Sequence, residues 1–301
     1  MPDPTILLCG GTGMLGGEVA RRLAARGVPV RALVRPATDA AALESLGITA
    51  VRGDMRDRPS LDPAVAGVTT VISTVTAMVR WMMGAKDLTL HDVDEVGYAN
   101  LIDACERAGV QRFVYASIVP FAKPGGTVLE EAKFSTERRL RASTLREVLV
   151  RADMIQESWL APVTGFDWPH GKVTIYGDGT SEHAYIANGD YAEAMIRLAL
   201  ADDPPRIVEI GGPEAMSRVE AAAAFEQATG HQMRVRHVPR LVLRAGSHLG
   251  RVQPLAALMM RMMLAADLSD VPVRDAELQA LGIEAKPVSR YIREVVAAGT
   301  A

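Results

Sequence analysis

Three glycines spaced three residues apart follow a short apolar run near the start of the chain. The run Thr5–Cys9 leads at once into Gly10-Gly11-Thr12-Gly13-Met14-Leu15-Gly16, and a helical pattern of apolar residues then continues to Arg26. A pyrophosphate needs backbone N–H groups at a helix N-terminus and no side chains that block its approach. The spacing differs by one residue from G-x-G-x-x-G, but its place between a strand and a helix predicts dinucleotide binding.

The end of the second predicted strand indicates which dinucleotide is bound. Sites that prefer NAD usually place Asp or Glu there, whereas an arginine suits the 2′-phosphate of NADP(H). This strand ends Leu33-Val34-Arg35-Pro36, with no acidic residue before Asp39 and with Arg31 nearby. We therefore expect NADPH as cofactor, with Arg35 on the 2′-phosphate. The alternative is that Arg35 is an ordinary solvated surface arginine.

The elements that position these residues alternate between strand and helix. The predicted strands after the glycine turn are 29–34, 48–51, 69–73, 112–116 and 147–150, and the predicted helices are 40–46, 93–108 and 130–143. Strands that alternate with helices build a parallel sheet covered on both faces. The predicted fold class is α/β, a Rossmann-like doubly wound parallel sheet with a smaller, mainly helical C-terminal substrate domain.

In the second half of the chain the predicted strands and helices no longer alternate regularly, and this change predicts how the domains are arranged. Residues 1–155 form the dinucleotide-binding domain, and residues 173–210 return to it. Residues 156–172 and 211–301 form a smaller substrate-binding region. Within the latter, Ser217 and Glu220 form a capping box that opens a helix closed by Gly230.

Composition excludes several classes of protein. The chain has 301 residues, of which 49% are hydrophobic, so it is not disordered. Its 33 basic and 36 acidic residues give a formal net charge of -3, without the basic excess or basic patch of a nucleic-acid binder. The two cysteines, Cys9 and Cys105, lie in apolar segments, and no Cys/His cluster has zinc spacing, so we expect no metal.

Targeting and membrane signals are also not found. The N-terminus lacks the basic start and long apolar run of a signal peptide. The apolar segment Pro254–Leu268 is too short to span a bilayer, and Arg261 interrupts it. These observations predict a soluble cytoplasmic protein without a membrane partner.

The motifs together resemble the atypical and extended short-chain dehydrogenase/reductases. The branch they resemble is the NmrA-like group, with its quinone-reductase and isoflavone-reductase-like relatives. The residues that carry the resemblance are GGTGMLG at 10–16, VRALVR at 30–35, Gly53-Asp54, and GVQRFVYAS at 109–117. The resemblance covers about residues 5–230, and residues 211–230 resemble the segment that opens the small C-terminal domain of that group.

The resemblance implies roles for individual residues. It places Asp54 and Met55 at the adenine, and it makes Lys133 the lysine that contacts the nicotinamide ribose. The turn Ala152–Gln156, which contains Met154, would flank the nicotinamide. The residues implied to hold the pyrophosphate are Gly10, Gly11, Thr12, Gly13, Met14, Leu15 and Gly16, and those implied to lie beside the cofactor after the fourth strand are Thr74, Val75 and Thr76.

The chain departs from the family pattern at the proton donor. Members with a catalytic tyrosine carry it four residues before the lysine, on the same helix face. Four residues before Lys133 is Leu129, whereas Ser117 occupies the position of the family serine. A quinone, enone or other activated acceptor can take a proton from solvent after hydride transfer, but an ordinary ketone benefits from a positioned acid. The loss of the tyrosine therefore favours activated acceptors.

The remaining candidates are ranked lower. His91 could donate a proton near neutral pH, although a helix-start histidine beside the capping Asp92 is the simpler interpretation. Four methionines at 259, 260, 262 and 263 have helical spacing and are interpreted as core or dimer contacts. The residues predicted to line an apolar substrate pocket are Trp81, Met82, Met83, Phe121, Ile155 and Trp159.

These patterns favour an NADPH-dependent reductase of a small, apolar or aromatic carbonyl, quinone or enone. The candidate catalytic residues are Lys133, Ser117 and His91. Two alternatives stay open: a non-catalytic NAD(P)-sensing regulatory protein, and a non-redox isomerase, epimerase or lyase that retains a bound dinucleotide. We expect a small-molecule substrate and no nucleic acid, and the choice between a monomer and a homodimer stays open.

Overall fold

The computed structural model describes residues 5–82, 84, 85, 87–121, 126–251 and 253–299. The chain divides into two compact units, each assembled from three separate stretches. The first unit comprises Met1–Ile118, Val128–Arg151 and Tyr191–Val208, and the second comprises Val119–Thr127, Ala152–Asp190 and Glu209–Ala301. The division into a dinucleotide-binding and a substrate-binding region is a statement about function and stays a prediction.

Twelve strands occur in the described part of the chain, together with helices that separate most of them. The strands are β1 (Ile6–Cys9), β2 (Val30–Val34), β3 (Thr49–Arg52), β4 (Thr70–Ser73), β5 (Arg112–Ile118), β6 (Arg146–Ala152), β7 (Phe166–Asp167), β8 (Lys172–Tyr176), β9 (Glu182–His183), β10 (Ile207–Ile210), β11 (Met216–Ser217) and β12 (Arg234–Val238). The helices are α1 (Met14–Ala25), α2 (Ala41–Glu44), α3 (Asp62–Val65), α4 (Met78–Met82), α5 (Tyr98–Ala108), α6 (Val128–Arg141), α7 (Gln156–Trp159), α8 (Asn188–Leu200), α9 (Arg218–Thr229), α10 (Arg240–Ser247), α11 (Pro254–Asp267), α12 (Ala276–Ala280) and α13 (Val288–Gly299).

A seven-stranded sheet confirms the predicted fold class. Its strand order is β10-β6-β5-β4-β1-β2-β3, and β1 pairs in parallel with both β2 and β4. The register places Ile6 opposite Val30 on one side and Thr70 on the other. This order reverses direction between β1 and β4, and ligands of doubly wound sheets bind at the carboxyl ends of the strands at such a reversal.

The central strands are buried because helices cover both faces of the sheet. Every residue of β1 and of β4 is buried, as expected of parallel strands packed between two helix layers. Helix α5 packs Leu101, Ile102 and Cys105 into the core on one of these faces. Both cysteines are buried free thiols, and burial raises the pKa of Cys9 well above its usual value, in agreement with a packing role.

The second unit is built around a separate aromatic core. Strands β12, β8 and β7 form a three-stranded sheet, and β11 pairs with β9. The ring of Trp168 stacks on Phe225 at a centroid distance of 5.8 Å. The Ser217 hydroxyl and the Glu220 carboxylate cap the start of α9 reciprocally, and Gly230 ends this helix in a left-handed conformation, as predicted.

The structure corrects the predicted helix 93–108 at its start. Residues His91–Gly97 form a π-helix, and the α-helix α5 begins only at Tyr98. The wider π turn lies where Asp94 is fully buried and accepts a hydrogen bond from the backbone N–H of Ala77. The structure also adds β12, which sequence periodicity did not predict because four of its five residues are exposed.

No helix in the described ranges has both the length and the apolarity needed to cross a membrane.

Candidate cofactor-binding and active site

In the turn between β1 and α1, backbone geometry and packing require glycine at two positions, whereas a third glycine has space for a side chain. Gly10 has a φ of +92°, and a Cβ on Gly16 would overlap the Gly10 carbonyl oxygen. Around Gly13, by contrast, a Cβ would meet only the Gly10 carbonyl oxygen, at 3.4 Å. Thr12, Gly13 and Met14 are exposed, Leu15 is half-buried, and Gly11 is buried against Leu8 and Leu43.

The first turn of α1 has neither a capping side chain nor an acidic residue. The cap residue of the helix is Gly13. N–H groups in the first turn of a helix attract anions, and the helix dipole adds to this attraction. The turn therefore fits the pyrophosphate of a dinucleotide, because the position where a side chain would obstruct it is occupied by Gly13.

The two arginines near the end of β2 have different surroundings. The Arg31 guanidinium donates to the carbonyl oxygens of Pro63, Ala64 and Ala66, at the end of α3. Arg35 is half-buried, and no ion-pair or hydrogen-bond partner of its guanidinium occurs among the residues that the structure describes. Its carbonyl oxygen instead accepts a hydrogen bond from Arg52, at 3.2 Å, which braces the loop. Arg35 is therefore the arginine available for a 2′-phosphate.

The two residues predicted at the adenine, Asp54 and Met55, follow β3 and make hydrogen bonds within the protein. Hydrogen bonds from Arg56 hold the Asp54 carboxylate and lower its pKa. Met55 is buried, and its carbonyl oxygen accepts from the Asn100 side chain at 2.9 Å. The adenine contact of Asp54 and Met55 stays a prediction, with the Asp54 carboxylate engaged by Arg56.

Thr74 links the end of β4 to the glycine turn. Its backbone N–H and its hydroxyl both donate to the Cys9 carbonyl oxygen, at 3.0 and 3.3 Å. A Cβ on Gly10 or Gly16 would come within 2.7 Å of the Thr74 hydroxyl oxygen. The carbonyl oxygen of Val75 accepts from the Tyr98 hydroxyl, and the Thr76 hydroxyl accepts from the N–H of Met78. The structure thus brings the predicted pyrophosphate and β4 residues together at one sheet edge.

Lys133 and Asp94 are two buried side chains of opposite charge. Lys133 is 5% exposed, its ammonium donates to the Ala116 carbonyl oxygen at 3.0 Å, and it lies 4.8 Å from the ring centre of Tyr115. Burial lowers the pKa of Lys133, and the charge of Asp94 opposes this shift. Burial raises the pKa of Asp94, and the charge of Lys133 opposes that shift in turn. Each charge therefore stabilises the other.

One oxygen of Asp94 has no partner in the described structure. Its Oδ2 accepts from the N–H of Ala77 at 2.8 Å, whereas the buried Oδ1 has no hydrogen-bond partner among the described residues. An unsatisfied buried carboxylate oxygen is costly and often marks a functional position. Sequence reasoning missed Asp94 in favour of Asp92, although Asp94, Tyr98, Leu101 and Cys105 recur at the spacing of a buried helix face.

Ser117 is engaged by a second buried network. Its hydroxyl donates to Glu137 at 2.7 Å, and the same carboxylate accepts from Arg151 and Arg141. Burial raises the pKa of Glu137, but hydrogen bonds from Arg151 and Ser117 outweigh this effect and lower it. The hydroxyl of Ser117 therefore has a structural partner, and its catalytic role stays a prediction.

His91 lies on the surface of the π-helix. Its side chain is 68% exposed and faces Glu95, with 3.4 Å between Nδ1 and Oε2. The neighbouring Asp92 exchanges hydrogen bonds with Thr89, which matches the simpler interpretation of this pair as a helix start. A proton-donating role of His91 stays a prediction.

The predicted substrate residues belong to different units. Half-buried Trp81 lies on α4 in the first unit, Met82 is the last residue of that helix, and Met83 falls outside the described residues. In the second unit, Phe121 and Trp159 pack against the aromatic core, Ile155 bridges to Ile186, and Met154 is buried. The contact of these side chains with a substrate stays a prediction.

In the described residues, no group of three His, Cys, Asp or Glu side chains is arranged to hold a metal ion.

Comparison with known proteins supplies a family and two kinds of relative. Residues 2–263 match the model of the NmrA-like family. The photosystem II assembly factor Ycf39 of Synechocystis is 29% identical over 240 residues, which cover 79% of this chain and 72% of that protein. An NAD(P)H azoreductase of Xenophilus azovorans is 26% identical over 230 residues, covering 76% and 75%.

A solved structure shares the fold over nearly the whole chain. It is an NADPH-dependent quinone oxidoreductase of Escherichia coli complexed with NADPH, with a TM-score of 0.77. The match covers 96% of this chain and 99% of that one, at 22% sequence identity. At this identity the likeness shows the fold.

Proposed function

The chain belongs to the NmrA-like family, and on this premise we propose that it is an NADPH-dependent reductase. Its acceptor would be a small apolar carbonyl, quinone or enone. The proposal is carried by the geometry of two strand ends: Gly13 has no side chain to obstruct an anion at the start of α1, and the Arg35 guanidinium has no ion-pair or hydrogen-bond partner among the described residues. The azoreductase and the quinone oxidoreductase named above support the same class of reaction.

The residues of the chain would hold the cofactor by charge and by shape. First-turn N–H groups of α1 would donate to the pyrophosphate, and Arg35 would pair with the 2′-phosphate. Thr74 and Val75 would stand beside the cofactor at the end of β4. NADPH supplies the hydride, and the protein supplies binding, orientation and the exclusion of water.

Lys133 would act as the polar contact of the ribose. Its ammonium has three donors, of which one is committed to the Ala116 carbonyl oxygen. The charge of Asp94 helps Lys133 stay protonated inside the fold, where burial alone would favour the neutral amine. Since Leu129 has no proton to give, the product would be protonated from solvent, which suits quinones and enones better than ordinary ketones.

Replacement of Arg35 by alanine tests the cofactor assignment. We expect Arg35→Ala to weaken NADPH binding about 10- to 150-fold, because a charge-assisted hydrogen bond contributes about 1.5–3 kcal/mol. NADH binding should change little. Fluorescence titration with NADPH, NADP⁺, NADH and NAD⁺ measures both effects, and Arg138→Ala, which removes an exposed arginine of α6, is the matched control. Equal weakening of NADPH and NADH would contradict a 2′-phosphate role.

A second candidate function is a dinucleotide-bound assembly or regulatory factor without turnover. Two observations favour it: Leu129 at the position of the family tyrosine, and the similarity to the assembly factor Ycf39. Steady-state oxidation of NADPH with a panel of quinones and enones separates the two. Tight NADPH binding with no oxidation above background by any acceptor would favour the assembly factor over the reductase.

A further inference from the structure

A long stretch of the second unit carries only positive charge. Residues 227–266 contain six arginines and three histidines but neither Asp nor Glu, in a chain whose formal net charge is -3. The whole-chain balance hides this segment, so the expectation of no basic patch was wrong locally. The stretch includes the edge strand β12 and the helix α10, which Pro239 joins directly.

Helix α10 turns one face inward and leaves an apolar face uncovered. Leu243, Gly246 and Ser247 are buried, and a Cβ on Gly246 would overlap the side chain of Met260 on α11. This close approach fixes which face of α10 points away from α11. On that outer side Leu241 is 76% exposed and Val242 is 47% exposed, and Leu249 in the turn after the helix is 52% exposed.

The exposed apolar residues form one stripe, because a helix advances about 100° per residue. On this geometry Leu241, Val242 and Ala245 fall within an arc of about 100°. Arg244 and His248, both exposed, lie along one border of the stripe. The exposed side of α10 therefore has an apolar centre and a basic border.

The arginines of β12 and α10 differ in whether their charge is already neutralised. Arg240 pairs with Asp267 and Asp178, at 2.5 and 2.8 Å, so it serves the fold. Arg234 and Arg236 on β12 and Arg244 on α10 are exposed, and none of the three has an ion-pair partner in the described part of the chain. Three charges thus remain for an external anionic partner.

We propose that the outer face of α10, with its apolar stripe and the exposed Arg244 at its border, docks on an anionic lipid surface. A basic helix with an exposed apolar stripe binds in the interfacial region by burying its apolar side chains while its cations contact the headgroups. A nucleic acid would use the arginines and leave Leu241 and Leu249 in water. A second copy bound by two-fold symmetry would set basic residues against basic residues. The inference is independent of the reductase proposal.

Vesicle flotation tests the proposal with the full-length protein. Vesicles of phosphatidylcholine with an equal part of phosphatidylglycerol should carry the protein, vesicles of phosphatidylcholine alone should not, and salt should weaken the binding. Arg244→Gln should lower the partition coefficient about fivefold, since each such arginine contributes about 1 kcal/mol. The double variant Leu241→Ser/Leu249→Ser should lower it at least about tenfold.

Matched substitutions elsewhere on the molecule control for general effects. Val163→Ser removes a comparably exposed apolar side chain, and Arg138→Gln removes an exposed arginine, so neither should change the binding. Unchanged melting temperatures show that every variant is folded. Failure of the wild type to float with anionic vesicles overturns the proposal, and so does an equal loss in the control variants. A dimer in analytical ultracentrifugation that Leu241→Ser dissociates, without vesicle binding, would assign the face to a second copy instead.

Discussion

Alanine substitutions in the glycine turn separate the glycines that the fold needs from the glycine that the cofactor needs. Gly16→Ala forces a methyl group into the Gly10 carbonyl oxygen, so we expect it to lower the free energy of unfolding by about 1–3 kcal/mol and to weaken NADPH binding as well. At Gly13 a methyl group has space within the protein, and φ is -87°, which alanine adopts readily. Gly13→Ala should therefore cost less than about 1 kcal/mol of stability.

The same methyl group at position 13 would stand where the pyrophosphate approaches the helix. Losing one charge-assisted hydrogen bond of about 1.5–3 kcal/mol weakens NADPH binding about 10- to 150-fold. Gly17→Ala is the matched control, because its Cβ makes only an ordinary 3.5 Å contact with the Gly11 carbonyl oxygen. That variant should bind NADPH normally and gain up to about 1 kcal/mol from helix propensity.

Urea unfolding and fluorescence titration of the three variants measure the two effects separately. The expected pattern is loss of both properties for Gly16→Ala, loss of binding alone for Gly13→Ala, and loss of neither for Gly17→Ala. Wild-type NADPH affinity in Gly13→Ala would refute the assignment of this helix N-terminus to the pyrophosphate. A stable Gly16→Ala protein would refute the packing argument.

Three further predictions concern buried charges. Lys133→Met should lower the unfolding free energy in urea by about 1–3 kcal/mol, because the buried Ala116 carbonyl oxygen loses its donor and Asp94 loses an opposite charge, and Asp94→Asn in the same protein should recover part of the loss; no recovery would show that the two charges do not interact. Hydrogen bonds from three arginines outweigh burial and lower the pKa of Glu193 from 4.5 to about 2. The ionised carboxylate therefore stabilises the fold above pH 4.5, and this stabilisation is lost as the pH falls towards 2. Because the arginines are half-exposed, Glu193→Gln should lower the unfolding free energy by only about 1–2 kcal/mol at neutral pH, and by progressively less below pH 4.5, in unfolding measured as a function of pH. Ser117→Ala should cost about 1–2 kcal/mol because its hydroxyl donates to a buried carboxylate, whereas a loss of turnover without a loss of stability would show that the hydroxyl acts on the substrate.

The fold class was predictable because its signals are local and strong. Strand Ile6–Cys9 is a continuous apolar run, as burial on both faces requires, and a glycine turn follows it directly. The capping box at Ser217 is likewise local. Strand Arg234–Val238 escaped prediction because an exposed edge strand has no apolar face to reveal it.

Two parts of the candidate site can be proposed from local patterns alone: the glycine turn from its place between a strand and a helix, and Arg35 from its place at the end of the second strand. The roles of both stay predictions. Asp94 cannot be proposed in this way, because its surroundings come from distant parts of the chain: it accepts a hydrogen bond from the Ala77 N–H, and the charge of Lys133 lowers its pKa against the effect of burial. The same holds for the Ser117–Glu137 hydrogen bond, whose partners are twenty residues apart.

The π-helix His91–Gly97 determines how the residues at its start are rotated about the helix axis relative to α5. A π segment is equivalent to one residue inserted into an α-helix, so its removal would turn the preceding residues by about 100° relative to α5. Asp94 would then swing away from the Ala77 N–H, although no amino acid in the contact had been replaced. Chain length in this segment, and not only residue identity, therefore governs whether a carboxylate reaches the interior, and any transplant of the Asp94–Lys133 pair into another scaffold has to carry the extra residue with it.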